Sequence, residues 1–116
     1  MSEPLIRLVL PVPPSANALF TTRAGSRQRI KSDTYRAWIV EAGWAVARSG
    51  ALSDRLRHVR VECDMPFDYR RDLDNAIKPV ADLLVRHELI ADDRWIDEWR
   101  VRRVPAGDLI VSIWRL

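Results

Sequence analysis

Five aspartates, Asp72, Asp74, Asp82, Asp92 and Asp93, fall within 22 residues of a chain whose formal charge is +3, and they are threaded through an apolar stripe. That stretch limits the fold more than any other. Ile77, Val80, Ala81, Leu84 and Val85 recur at spacings of three and four, which predicts a helix with one buried face, ending near His87. Upstream, Val59, Val61, Cys63 and Met65 alternate with Arg60, Glu62 and Asp64, the pattern of a half-buried strand. The strand delivers the chain to Asp72 and Asp74, which as residues two apart are expected to project together with Leu73 turned inward. Asp74 or Asn75 is a suitable N-cap. Pro79 is expected in the second helical turn, where it deletes the bond to the Asn75 carbonyl and favours a bend.

The acids also set an electrostatic condition. Two carboxylates about 4 Å apart repel by roughly 4 kcal/mol at an effective dielectric near 20, so a convergent set needs a cation or bound protons. Glu88 to Asp93 forms a loop able to carry Asp92 or Asp93 back to Asp72 and Asp74, and hard carboxylate oxygens suit Mg²⁺ or Mn²⁺. Lys78 lies four residues from both Asp74 and Asp82, one helical turn either way, so its ammonium is placed to lean over the acid pair.

The remaining chain reads as one domain. Ile6, Leu8 and Leu10 alternate with Arg7 and Val9 in a first strand, expected near the sheet centre and closed by Pro11, Pro13 and Pro14. Residues 15–31 lack periodicity and read as a loop, in which Arg23, Arg27, Arg29 and Lys31 form a basic arm without an acid. Phe20, at the root of the arm, reads as a loop anchor packed on the core. Ser32 or Asp33 can cap a helix whose apolar face is Tyr35, Trp38, Ile39, Ala42 and Val46, ended by Gly50. Trp95 to Val104 and Asp108 to Leu116 read as two strands of a hairpin, with Asp97 and Glu98 in cross-strand ion pairs. Asp68 beside Pro66 reads as a turn residue, and His58 and His87 lack metal-ligand spacing. The expected fold class is α+β: a single domain spanning 1–116, with a mixed four-stranded sheet carrying two helices. The lone Cys63 excludes an internal disulfide and a cysteine-based zinc site, and the N-terminus has neither a signal peptide nor a membrane span, which implies a cytoplasmic protein.

The run RRDLDNAIKPVADLL, the later ADD and the N-terminal PPSAN together resemble the RusA family of Holliday junction resolvases, phage and bacterial endonucleases. The aspartate-leucine-aspartate-asparagine run, the lysine three residues after the asparagine and the paired aspartates stand in the family's order, and the likeness covers nearly the whole chain. The resemblance implies metal binding by Asp72, Asp74 and Asp93, a catalytic-site lysine at Lys78, Mg²⁺ or Mn²⁺ as cofactor, four-way junction DNA as substrate, and a homodimer. Arg70 and Arg71, beside the first ligand, join Arg23, Arg27, Arg29 and Lys31 as expected phosphate contacts. Asp82, Asn75 and Asp92 are expected supporting members of the site, Asp82 by orienting the Lys78 ammonium. The alternative from another class is a non-catalytic branched-DNA-binding module in which the acids merely cap and solvate.

Overall fold

The computed structural model describes residues 3–15, 18–22, 24–25, 28–105 and 107–116. Strand β1 (Ile6–Leu10) buries Ile6, Leu8 and Leu10 and exposes the residues between them, as the alternation requires. Strands β2 (Phe20–Thr22) and β3 (Arg29–Lys31) pair antiparallel as a small ribbon, where the sequence suggested only a loop. Helix α1 (Asp33–Ser49) starts at Ser32, whose hydroxyl accepts the Tyr35 amide at 3.1 Å, and ends at Gly50 in the left-handed region at φ 75°. Only a residue without Cβ enters that region cheaply, which is why the helix stops there.

Strand β4 (Val59–Pro66) sits inside the sheet. Its inward side chains Val59, Val61, Cys63 and Met65 are fully buried, and the sheet runs β1-β6-β4-β5 with β5 at Ile96–Val104 and β6 at Leu109–Arg115. Two expectations are corrected. β1 is an edge strand rather than a central one, and β5 and β6 are not a hairpin because β4 lies between them. β4 pairs parallel with β5 and antiparallel with β6, so the sheet is mixed. A parallel pair needs a crossover, which is supplied by helix α2 (Ile77–Arg86), preceded by a 3-10 turn at Leu73–Ala76.

Pro79 falls in the first turn of α2 rather than the second. The α-helix begins only at Ile77, so the missing amide is one of those that lack a partner at any helix start. The carbonyl it cannot engage belongs to Asn75, within the 3-10 turn. α1 and α2 pack on the inward face, where Tyr35, Trp38, Ala42, Val46, Val80, Leu83 and Leu84 join the strand residues in one core. The helices approach closely at Gly43, where an added Cβ would stand 3.2 Å from Nε2 of His87. Burial, aided by Arg86, holds the His87 imidazolium below its usual range. On the other face Glu62 lies within 3.2 Å of Arg60 and 3.8 Å of Arg100, Arg102 pairs with Asp64 at 2.8 Å, and Arg60 covers the Trp114 ring at 4.4 Å. No helix among the described residues is long and apolar enough to cross a membrane.

Candidate metal and nucleic-acid site

The end of β4 leads directly to the acid pair. After the Phe67–Asp68 turn, Arg103 near the far end of β5 donates from Nε to the Tyr69 carbonyl at 3.1 Å and from Nη2 to the Arg71 carbonyl at 2.7 Å. One guanidinium thus ties down the segment that enters Asp72. The backbone of Asp72 is extended, its carbonyl accepts the Asn75 amide at 3.1 Å, and its side chain makes no capping bond. Asp74 belongs to the 3-10 turn itself, so the two acids flank half-buried Leu73 on a turn instead of projecting from a strand. Both are exposed, as are Arg70 and Arg71. The buried Tyr69 hydroxyl lies beside the Asn75 amide without completing a well-formed hydrogen bond, and burial raises its phenol pKa.

Lys78 turns away from this pair. Its ammonium donates to Oδ2 of Asp82 at 3.3 Å and lies 5.8 Å from the centre of the Phe20 ring, so the expected contact with Asp74 is replaced by one with the next turn. The Tyr35 hydroxyl donates to the same Asp82 oxygen at 3.4 Å. Burial, with the nearby Asp82 carboxylate, pushes the Tyr35 phenol up to about 12. Arg29 stacks over Phe20 at 5.2 Å, and Lys31 joins Tyr35, Asp82, Arg86, Asp92 and Asp93 around a cleft of about 470 Å³. The ribbon therefore brings the described part of the basic arm to α2. Arg23, Arg27 and the motif residue Asn17 lie outside the described residues.

Asp92 and Asp93 occupy the other end of the crossover. Asp92 Oδ1 accepts the Arg94 amide at 3.3 Å, capping the 3-10 turn Asp93–Trp95. The two side chains share a hydrogen bond that favours ionised Asp92 and protonated Asp93, so Asp92 is held below and Asp93 above the usual carboxylate range. The Arg94 amide adds to the first shift, and desolvation with the charges of Asp92 and Asp82 adds to the second. Asp93 is three residues before Ile96, which pairs with Val59 at the start of β4, whereas the acid pair lies by Arg103, which pairs with Met65 near its end. Seven residues of β5 separate these levels, roughly 23 Å of strand at about 3.3 Å per residue. The loop does not bring Asp92 or Asp93 back, because Leu89 and Ile90 are buried at the far end, where the Leu56 amide donates to the Leu89 carbonyl at 3.0 Å. Among the described residues no three acid, imidazole or thiol groups stand close enough to hold a metal ion.

The family profile described as "Endodeoxyribonuclease RusA" matches residues 11–113. The chain belongs to the RusA family. It is 36% identical over 115 residues to the "Crossover junction endodeoxyribonuclease rusA" of Enterobacteria phage HK97, covering 95% of this chain and 94% of that protein. Against the protein of the same name from Escherichia coli strain K12 it is 29% identical over 102 residues, 84% of this chain and 82% of the relative. The corresponding protein of Escherichia coli O139:H28 is 29% identical over 116 residues.

In this RusA-family chain the structure joins Lys78 to Asp82, sets Asn75 directly after Asp74, and separates Asp93 from Asp72 and Asp74. Sequence reasoning missed three contributors. Tyr35 and Phe20 carry the signature of core aromatics, and nothing in their spacing shows a contact with a residue 47 positions away, as Tyr35 makes with Asp82. Arg103 stands with Arg100 and Arg102 among the strand arginines that make cross-strand ion pairs the simple reading for Asp97 and Glu98. Arg100 and Arg102 do pair with Glu62 and Asp64 on β4, but Arg103 points the other way, as alternation along β5 allows. His58, read from the sequence only as lacking metal-ligand spacing, has its Nδ1 2.8 Å from Asp97 and its ring edge-on to Trp95.

Proposed function

We propose that this chain is a Holliday junction resolvase, an endodeoxyribonuclease that cuts four-way DNA junctions in the bacterial cytoplasm with a divalent metal. One observation carries the reading: Asp72 and Asp74 stand exposed on the turn after β4, and the Asp72 side chain is not spent on capping the helix it precedes. A solvated cap would use that side chain. Exposed, hard oxygen donors next to two arginines fit Mg²⁺ or Mn²⁺ beside a phosphate. Bound there, such an ion supplies Lewis acidity to the scissile phosphate and activates water.

The protein's own groups do the rest. Arg70 and Arg71 neutralise phosphates beside the cut, and Arg103 keeps their segment in place so that this contact is pre-organised. Arg29, Lys31 and the rest of the arm hold the backbone without reading sequence. Lys78 offers its ammonium to the charge that builds on phosphate during cleavage.

The geometry also supports a homodimer. A junction is resolved by two cuts related by an approximate two-fold axis, and two copies of a single-site chain meet that symmetry. With Asp93 at the opposite end of α2 from Asp72 and Asp74, a three-aspartate site is completed by the Asp93 of a second copy rather than by the same chain. Purified protein with a labelled junction tests the reading: Mg²⁺-dependent paired cuts are expected, with Asp72→Asn, Asp74→Asn and Asp93→Asn each inactive but binding as tightly or more tightly. Mixing Asp72→Asn with Asp93→Asn protomers then rebuilds one intact site per heterodimer and restores nicking. No restoration would place all three acids in one protomer, and binding without cleavage under any metal would leave a branched-DNA-binding module.

A further inference from the structure

An exposed lysine paired only with the residue one turn along its own helix keeps most of its rotational freedom, because solvent competes for the ion pair and the stem has four rotatable bonds. Lys78 has more than that pair. The Asp82 oxygen that takes its ammonium at 3.3 Å is the one that takes the Tyr35 hydroxyl at 3.4 Å. Tyr35 itself cannot drift: it is fully buried, stacked on Trp38 at 6.2 Å and met edge-on by Phe20 at 6.0 Å. Phe20 closes the other side of the ammonium, 5.8 Å from ring centre to Nζ. Three elements, α1, β2 and α2, thus meet around one ion pair, that of Lys78 with Asp82.

We propose that Asp82, anchored by the Tyr35 hydroxyl, is a positioning residue that fixes the Lys78 ammonium for phosphate contact, with the Phe20 ring as the opposing wall. This inference rests on the catalytic reading of Lys78 given under Proposed function. The arrangement is selective about the proton carrier. The phenol of Tyr35 remains a donor wherever the enzyme is studied, since it ionises only near pH 12, and so Asp82 is held at neutral pH by two donors at once. Asp82 also faces Arg86, Lys31 and Asp93 across the cleft, but Lys78 and Tyr35 are the groups whose hydrogen bonds fix its orientation.

The test combines single-turnover kinetics on a labelled four-way junction with lysine ¹³Cε NMR, in which Lys31 and Lys78 are the chain's two lysines. Asp82→Asn is expected to slow cleavage about tenfold while junction affinity stays the same or rises, because misplacing a group that acts in the transition state lowers rate rather than binding. Tyr35→Phe, which keeps the buried ring, should slow it about threefold, and Asp82→Glu should recover part of the Asp82→Asn loss. Lys78→Met should be slower than either Asp82→Asn or Tyr35→Phe, and adding Asp82→Asn to it should cost nothing more, since the two act through one nitrogen. In the spectra the Lys78 methylene protons are inequivalent in the wild type and merge in Asp82→Asn. Wild-type cleavage by Asp82→Asn, fully additive losses in the double variant, or an unchanged Lys78 spectrum would each overturn the inference. A Lys78→Met enzyme that cuts normally would instead overturn the catalytic reading of Lys78, and this inference with it.

Discussion

Replacing Arg103 by Met keeps the aliphatic stem and removes the two bonds that hold the entrance to Asp72. The bond from Nε to the Tyr69 carbonyl, 3.1 Å and partly buried, comes from a charged donor and contributes about 1.5 kcal/mol, while the more exposed bond to the Arg71 carbonyl adds about 0.5 kcal/mol. For a chain of 116 residues, unfolding entropy of about 2.1 cal/mol/K per residue converts a loss of about 2 kcal/mol into a melting point lower by about 8 °C. Local opening of the 69–72 segment at lower cost than global unfolding would reduce that shift, so amide exchange should be read alongside thermal denaturation; faster exchange at Asn75 is expected, its amide being bonded to Asp72. Cleavage should fall by up to about 100-fold through displacement of the acid pair, with junction binding weakened far less. Arg103→Lys separates geometry from charge, because an ammonium on a shorter stem cannot reproduce the fork that spans both carbonyls. Arg103→Met protein with wild-type melting, exchange and cleavage, or Arg103→Lys protein fully equal to wild type, would refute the clamp.

Alkaline titration should show both tyrosines, Tyr35 and Tyr69, ionising late, since burial raises each phenol. The native state then retains protons that the unfolded chain has lost above pH 10, so stability is intact below pH 10 and declines as pH rises towards the Tyr35 value of about 12; tyrosinate absorbance appearing near pH 10 before unfolding would contradict it. Cys63, fully buried with its thiol pushed up to about 12, should resist a thiol reagent at pH 8 in the folded protein and react at once in denaturant. Substituting Arg29 and Lys31 together should lower the salt slope of junction binding by about 1.8, near 0.9 per phosphate contact, and an unchanged slope would move the DNA footprint off the ribbon.

How far the sequence carried this structure depended on range. Where one residue decides, as Ser32 and Gly50 do for α1 or the four-residue interval for Lys78 and Asp82, the expectation and the structure coincide. Strand order was less legible. A four-residue connection between β5 and β6 looks locally like a hairpin, yet it spans the width of β4, about 10 Å for two strand spacings, which four residues reach easily. Alternation records which face of a strand is buried but not its neighbours. β2 and β3, at three residues each, are too short to show a period at all. For Asp93 the sequence signal lies in Leu89 and Ile90: this apolar pair between Glu88 and Ala91 is buried and fastens the loop where α2 ends.

The crossover helix also determines where this chain can change length. One residue inserted within α2 would turn everything beyond it by about 100° and lengthen the axis by about 1.5 Å, swinging Asp82 off Tyr35 if placed before it and shifting Asp93 relative to Asp72 wherever placed. Whole turns would restore the rotation but not the separation. Between Thr22 and Arg29, by contrast, the ends are paired to each other across the ribbon, so added residues alter neither partner. Aligned relatives should accordingly keep the interval from Asp74 to Asp93 constant and place their insertions and deletions in the basic arm.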